Sequence, residues 1–520
     1  MRKLLLMIFI VLLSTPLPAF AGGGVEKGRA IYGRLCWWCH GQEGAGDGPA
    51  AEYLNPPPRD FTLGLYKWKS TSFDEMMPTD EDYRRMIAGP RSHDSMPGWS
   101  GLNGTSMPGW ADVLDDGEIR AVAAYIKSFA DMETPEAPAV AVKPADTPSR
   151  ERLERGRKLF LDRCAECHGK EGRGDGEKRL KDDWGERTWP RNLTKGWTFR
   201  AGSGAGAIYE RLTSGIPGTQ MPSFADPASK KALADEERRD VAYYAASLDE
   251  PFKKPGADTV IKAVRTEGAI PGPGDGGWER AERTSLYLFP QIIAPGFSGD
   301  KLYRPTLDSL TVRAMYNEKE IAIYLEWDDP TMSVPGDELA EDIAGGEVFP
   351  DGVAVEFPAG YEKGEKPPYF GMGGKGGEVD IWAWQGPVGV GGKGGVRLMD
   401  ARGPGDIRQK DATASGLSAT GYYRDGAWRV VFRRPLETND KKDIRFKDGV
   451  FTPVAFAAWD GSNGEKGSRH VMTGWASIRL APQARGSIFI WPVVIAVVVF
   501  GAEMLWLKSA GRGRAEKTHG

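Results

Sequence analysis

Apolar positions along the chain change period once, near residue 256. From residue 22 to about 250 they recur at helical spacing in short amphipathic stretches. Ile119, Val122 and Ile126 share one helix face, and Val241, Tyr244, Ala245 and Leu248 share another. A stretch rich in Gly and Pro follows over 251–277, and the period then falls to two. Leu310, Val312, Ala314 and Tyr316 alternate with polar residues, as do Ile321, Ile323, Leu325 and Trp327, then Val353, Val355 and Phe357, then Val379, Ile381 and Ala383. With a further β-rich run over 428–432 and turns such as Asn463-Gly464, this pattern predicts an all-β sandwich over 256–482.

The two ends follow neither period. Residues 1–21 combine Arg2 and Lys3, an apolar run over 4–13 and Ala19-Phe20-Ala21, the layout of a secretory signal peptide. Residues 488–507 are apolar except for Glu503, long enough to span a bilayer core. Lys508, Arg512, Arg514 and Lys517 follow, so the pattern predicts one C-terminal transmembrane helix with a cytoplasmic tail over 508–520. The bulk of the chain would then lie on the periplasmic, extracytoplasmic side of the cell membrane.

The helical part is written twice. Gly28-Arg29 followed by Cys36-Trp37-Trp38-Cys39-His40-Gly41-Gln42-Glu43-Gly44-Ala45-Gly46-Asp47-Gly48 matches Gly156-Arg157 followed by Cys164-Ala165-Glu166-Cys167-His168-Gly169-Lys170-Glu171-Gly172-Arg173-Gly174-Asp175-Gly176. Downstream, Pro58-Arg59-Asp60-Phe61-Thr62 parallels Pro190-Arg191-Asn192-Leu193-Thr194, and Gly104-Thr105-Ser106-Met107-Pro108 parallels Gly218-Thr219-Gln220-Met221-Pro222. Two copies of one helical domain, over 22–130 and 149–250, are therefore expected, joined by a Pro- and Ala-rich linker over 131–148.

The formal net charge is −4, and both ends are basic, so the body between them is more acidic still. That excludes nucleic acid as a partner. With only 4 Cys and 5 His, a disulfide framework or an array of zinc modules is excluded too, and each such residue can be accounted for.

All four cysteines fall in Cys-x-x-Cys-His, the attachment sequence of covalent haem. Two thiols at this spacing bond one haem, and the adjacent His becomes its proximal ligand. Cys36 and Cys39 with His40, and Cys164 and Cys167 with His168, thus predict two haem c. A redox dithiol would not need the His, and a zinc site would need more ligands nearby. The aligned Met221 is the expected sixth ligand of the second haem. For the first, Met107 is the aligned residue, with Met96 and His93 as alternatives. Arg59 and Arg191 are candidates to pair with haem propionates.

These repeats resemble class I cytochromes c, which implies an all-α fold around each haem. The β region resembles another family. Trp278, Gln291, the strand ending Leu325-Glu326-Trp327-Asp328-Asp329, Phe370-Gly371-Met372-Gly373, Val379-Asp380-Ile381-Trp382-Ala383-Trp384 and Phe456-Ala457-Ala458-Trp459-Asp460-Gly461-Ser462-Asn463 look like the haem b-binding, ethylbenzene dehydrogenase-type gamma subunit of type II dimethylsulfoxide reductase-family molybdoenzymes. The resemblance implies one noncovalent haem b held by a Met and a Lys. The Met falls on Met372. The Lys position is taken by His470, and Lys466 is the alternative.

Fold class and function follow from these parts: two all-α cytochrome c domains, an all-β sandwich, then the transmembrane helix. Three six-coordinate haems leave no open iron, so the chain is expected to be no enzyme by itself but an electron-transfer subunit. The resemblance implies iron–sulfur and molybdopterin subunits of an oxidoreductase as partners, with other cytochromes or quinone-linked membrane proteins beyond. Two other readings are a free-standing dihaem carrier whose sandwich is a haem-free binding module, and a dihaem peroxidase.

Overall fold

The computed structural model describes residues 22–515 except 90–104, 131, 133–138, 143–146, 257, 292–300 and 482–486. The expected signal peptide, part of the linker, and both Met96 and His93 lie outside the described residues.

In the first helical domain, α1 (Gly22–Leu35) and the short α2 (Trp37–His40) precede α3 (Asp80–Ala88) and α4 (Asp116–Lys127). The second repeats the plan with α5 (Arg150–Arg163), α6 (Ala165–His168), α7 (Ala205–Ser214) and α8 (Asp235–Ser247). Sequence sets the starts locally. Thr79 and Asp82 form a reciprocal capping box on α3, as Asp115 and Glu118 do on α4. In each domain the first and last helices cross at a glycine. A Cβ on Gly28 would stand 2.0 Å from the Ala121 carbonyl oxygen, and one on Gly156 would stand 2.1 Å from that of Asp240. Ile31, Tyr32, Ile119, Val122 and Ile126 fill the first core, and Phe160, Tyr209, Leu212 and Val241 the second.

Among the described residues the β domain has fourteen strands: β1 (Val260–Arg265), β2 (Thr284–Tyr287), β3 (Phe289–Pro290), β4 (Ser309–Tyr316), β5 (Glu320–Asp328), β6 (Gly352–Pro358), β7 (Val379–Gln385), β8 (Gly395–Ala401), β9 (Ile407–Lys410), β10 (Ser418–Arg424), β11 (Ala427–Pro435), β12 (Thr452–Trp459), β13 (Val471–Met472) and β14 (Ala476–Leu480). A short helix, α9 (Glu338–Ala344), sits between β5 and β6. The order is β10-β11-β5-β4-β1-β14-β12-β6-β7-β8-β9, antiparallel except that β1 runs parallel to both β4 and β14. The path folds over at β12, where 452–454 pair with β14 and 455–459 with β6. Val312, Ile323, Leu325 and Phe432 of one half then pack with Val353, Val355, Phe357 and Trp382 of the other.

Both outer faces are also covered. Ile270, Trp278 and Ala281 lie over Met315, Ala322 and Tyr324 on one. On the other, Met372, Trp459 and Trp475 pack against Ala354, Ile381 and Ala383.

The expected transmembrane helix over 488–507 is overturned, and with it membrane contact through that helix. A helix does form, α10 (Ser487–Ala515), but among the described residues no helix is long and apolar enough to cross a membrane. Pro492 stands inside this helix, and Glu503 falls within its apolar run.

Candidate electron-transfer centres

Each Cys-x-x-Cys-His segment is one helical turn. The His40 amide donates to the Cys36 carbonyl at 3.0 Å, and that of His168 to Cys164 at 2.9 Å. The following glycines turn the chain back under this helix with positive φ: 79°, 75° and 76° at Gly41, Gly44 and Gly46, and 76°, 71° and 78° at Gly169, Gly172 and Gly174. That turn brings the Pro-Arg segment beneath the histidine. His40 Nδ1 lies 3.0 Å from the Arg59 carbonyl oxygen, and His168 Nδ1 lies 3.0 Å from that of Arg191. As donors to a carbonyl, both rings keep Nε2 free for a metal. Burial lowers the pKa of both imidazoles, which favours the neutral, ligating form.

Cys36, Cys39, His40 and Met107 line one cavity with Cys164, Cys167, His168 and Met221. Its volume is about 2040 Å³, beyond the roughly 300–1,000 Å³ of a single-ligand pocket. The methionine loops are alike: the Met107 amide donates to Thr105 Oγ1 at 3.2 Å, and that of Met221 to Thr219 Oγ1 at 3.2 Å.

The lining fits large planar groups with polar edges. Arg200 Nε, a buried polar atom without a hydrogen-bond partner, belongs to a residue on its wall, as do the buried Tyr66 and Tyr83. Burial drives the Cys36 and Cys164 thiols up to about 12, the opposite of a reactive redox dithiol. Haem iron would supply one-electron chemistry here, and these residues would hold it.

The residues expected to hold a third centre fall on the outer face of the second half of the sandwich. Ala354, Ala383, Ala401 and Ala457 make a floor of small side chains with Val379 and Ile381. Met372 packs against it, held at a φ of 68° between Gly371 and Gly373. His470 is 8% exposed, with its ring 4.8 Å from that of Trp459, which packs on the same floor. Its Nδ1 lies 3.1 Å from the Gly467 carbonyl oxygen, the arrangement of His40 and His168 again. Burial takes the His470 pKa down to about 4, so the ring is neutral at physiological pH. Lys466, by contrast, is exposed and sets its Nζ 3.9 Å over the Phe349 ring.

Two features went unread in the sequence. Glu356 is buried on this floor and accepts the Met372 amide at Oε2, 3.2 Å away, while Oε1 has no partner. Burial raises its pKa well above the usual carboxyl range. The available signal was a charged residue inside the otherwise apolar Val353–Phe357 alternation. Asp329, Asp351 and Asp460 also converge, with carboxylate oxygens within 4.8 Å of one another. Burial and mutual repulsion raise Asp329, and raise Asp351 to about 7. Backbone N–H groups of Thr331, Ser333, Gly461 and Ser462 satisfy them, joining the ends of β5 and β12 to the start of β6.

The second cytochrome-like domain meets the β domain through Lys195 Nζ to Asp328 Oδ2 at 2.7 Å, Asn192 Nδ2 to the same oxygen at 2.7 Å, and Arg187 Nη2 to the Ser462 carbonyl at 2.9 Å. The first reaches it at Asn55 Nδ2 to the Pro305 carbonyl, 3.1 Å, and at the Tyr53–Tyr303 ring pair. Tyr369 and Phe370, just before Met372, and Met472, just after His470, line the same large cavity.

Comparison with known proteins agrees with this division. Residues 25–130 and 153–249 match the cytochrome c family, and residues 275–394 and 398–471 match the family described as ethylbenzene dehydrogenase. A Haloferax mediterranei protein named putative respiratory nitrate reductase heme subunit ORF7 is 24% identical over 47% of this chain and 82% of its own length. Chlorate reductase subunit gamma of Ideonella dechloratans is 25% identical over 43% of this chain and 86% of its own. A chain of the Kuenenia stuttgartiensis reducing HAO-like protein complex is 35% identical over 43% of this chain and 96% of its own, with a TM-score of 0.37.

Proposed function

We propose that this chain, two cytochrome c domains followed by an ethylbenzene dehydrogenase-type domain, is an exported electron-transfer subunit with two haem c and one haem b. It relays electrons between the iron–sulfur subunit of a molybdenum oxidoreductase and other cytochromes or the quinone-linked respiratory chain. The observation that carries this reading is the recurrence of one histidine arrangement at three sites. His40, His168 and His470 each turn Nδ1 to a backbone carbonyl at 3.0–3.1 Å; His40 and His168 line one cavity with Met107 and Met221, and His470 packs on Trp459, which shares its apolar face with Met372.

Such sites suit an electron carrier. A His and a Met would hold each iron and leave it no ligand position for a substrate, so the group would supply one-electron transfer there. The ion pair and hydrogen bonds linking the second cytochrome domain to the β domain support an order in which that domain is the junction. The names of the nitrate and chlorate reductase relatives support a molybdoenzyme partner.

Purification from cells that also express the native partners tests the partnership. A complex containing molybdopterin and iron–sulfur centres is expected. A chain that keeps its haems and purifies free of molybdenum would contradict the reading.

A further inference from the structure

The two cytochrome repeats differ most between the Gly-Asp-Gly segment and the Pro-Arg segment. The first runs from Gly48 to Pro58, and the second takes a longer path from Gly176 to Pro190. The added length forms a hairpin closed by a bridge between Lys181 and Arg187. Its tip is held by Asp182, whose Oδ1 accepts the backbone amides of Trp184 at 3.1 Å and Glu186 at 3.0 Å.

The tip crosses into the first domain. The Arg59 guanidinium lies 5.1 Å from the Trp184 ring centroid, Lys67 Nζ lies 5.4 Å from it, and Lys67 Nζ is also 3.8 Å from Asp182 Oδ2. The other contact is within its own domain. A Cβ on Gly218 would come within 2.7 Å of the Trp184 ring, so the glycine at φ 76° is what lets the indole settle there. The Asp183 amide donates to the Gly218 carbonyl at 3.2 Å.

These two neighbours give the ring its meaning. Arg59 supplies the carbonyl that anchors His40. Gly218 opens the loop that carries Met221. One indole therefore touches the residue fixing the proximal ligand of one centre and the loop bearing the distal ligand of the other, on the wall of the cavity they share.

We propose that Trp184 is the positioning residue that couples the two haem c sites, setting their relative placement for electron exchange. The inference rests on the relay reading above. In the step it serves, one electron leaves the ferrous haem of one domain and reduces the ferric haem of the other. No bond forms or breaks, no proton moves, and the indole is neither oxidised nor reduced.

The test injects electrons by a light flash into the full-length protein carrying both haem c and follows their equilibration. Trp184→Leu is expected to slow inter-haem equilibration by roughly tenfold to a hundredfold, as small misplacements of reacting groups do. Haem c content and reduction by a small external donor should stay unchanged. Trp184→Phe should slow it less, and Asp182→Asn, which keeps the ring but loses the Lys67 pair, should fall between wild type and Trp184→Leu. A wild-type rate in Trp184→Leu overturns the proposal. If that variant takes up fewer than two haem c, wild-type rates in both Trp184→Phe and Asp182→Asn overturn it instead. Two intact haem c that never equilibrate in the wild type would defeat the relay reading itself.

Discussion

The two cytochrome domains share a skeleton and differ in nearly everything attached to it. Both cross their terminal helices at a glycine, hang the histidine from the Pro-Arg carbonyl, and hold the methionine loop on a threonine hydroxyl. Around that skeleton the first domain is aromatic. Phe61 stacks on His40 at 4.4 Å, and Tyr32, Tyr125 and Phe129 pack where its helices cross. The second has Leu193 where the first has Phe61, and a charged clamp where the first has Ala121. There Asp240 accepts Arg152 Nε at 2.6 Å and Arg155 Nε at 2.8 Å. The second also carries the extra hairpin and the polar links to Asp328 and Ser462. What would hold the iron is thus repeated, and what meets neighbours is not.

Removing covalent attachment separates the two domains most sharply. Cys164→Ala with Cys167→Ala should take the covalent haem count from two to one and leave the first centre's spectrum intact, as read by haem staining and pyridine haemochrome. Exchanging the distal ligand is the next largest change. Met221→His should lower the potential of the second centre only, on the order of 0.1 V within the roughly 0.8 V that axial ligands span, and Met107→His should do the same to the first. A potentiometric titration in which either variant moves the other domain's haem would break the assignment.

Smaller effects probe the skeleton. Gly28→Ala and Gly156→Ala each press a Cβ against a helix carbonyl, and should cost similar amounts, about 1–3 kcal/mol, in denaturant unfolding of the affected domain. Asp240→Ala should cost the second domain about 1 kcal/mol, because both arginines can turn to solvent once the carboxylate is gone. Unequal glycine penalties would mean the two crossings are less alike than their geometry.

Much of this was legible in the sequence because the haem-holding parts are local and repeated. Cys-x-x-Cys-His needs one helical turn, and the glycines at 41, 44 and 46 mark positive φ directly. The period-two alternation likewise marked the strands, since Val353, Val355 and Phe357 all enter the core. Long-range features were not legible. Nothing near Trp184 announces that it reaches Arg59 and Lys67 in another domain, apart from the unequal length of the two repeats. Glu356 reads as an outward-facing charge on a strand until the opposite face of that strand is seen to be covered too. The apolar run near the end misled for a different reason: hydropathy over 488–507 predicted a membrane span, and no such span stands among the described residues.

The proposed three haems, two covalent and one held by His470 and Met372, can be counted directly. Their most direct test is acid–acetone extraction with pyridine haemochrome quantitation, on wild type beside His470→Ala and Lys466→Ala, each expressed with its partners. The account predicts two haem c and one extractable haem b in wild type and in Lys466→Ala, and loss of the extractable haem alone in His470→Ala. No extractable haem in the wild type, or loss only in Lys466→Ala, would contradict it.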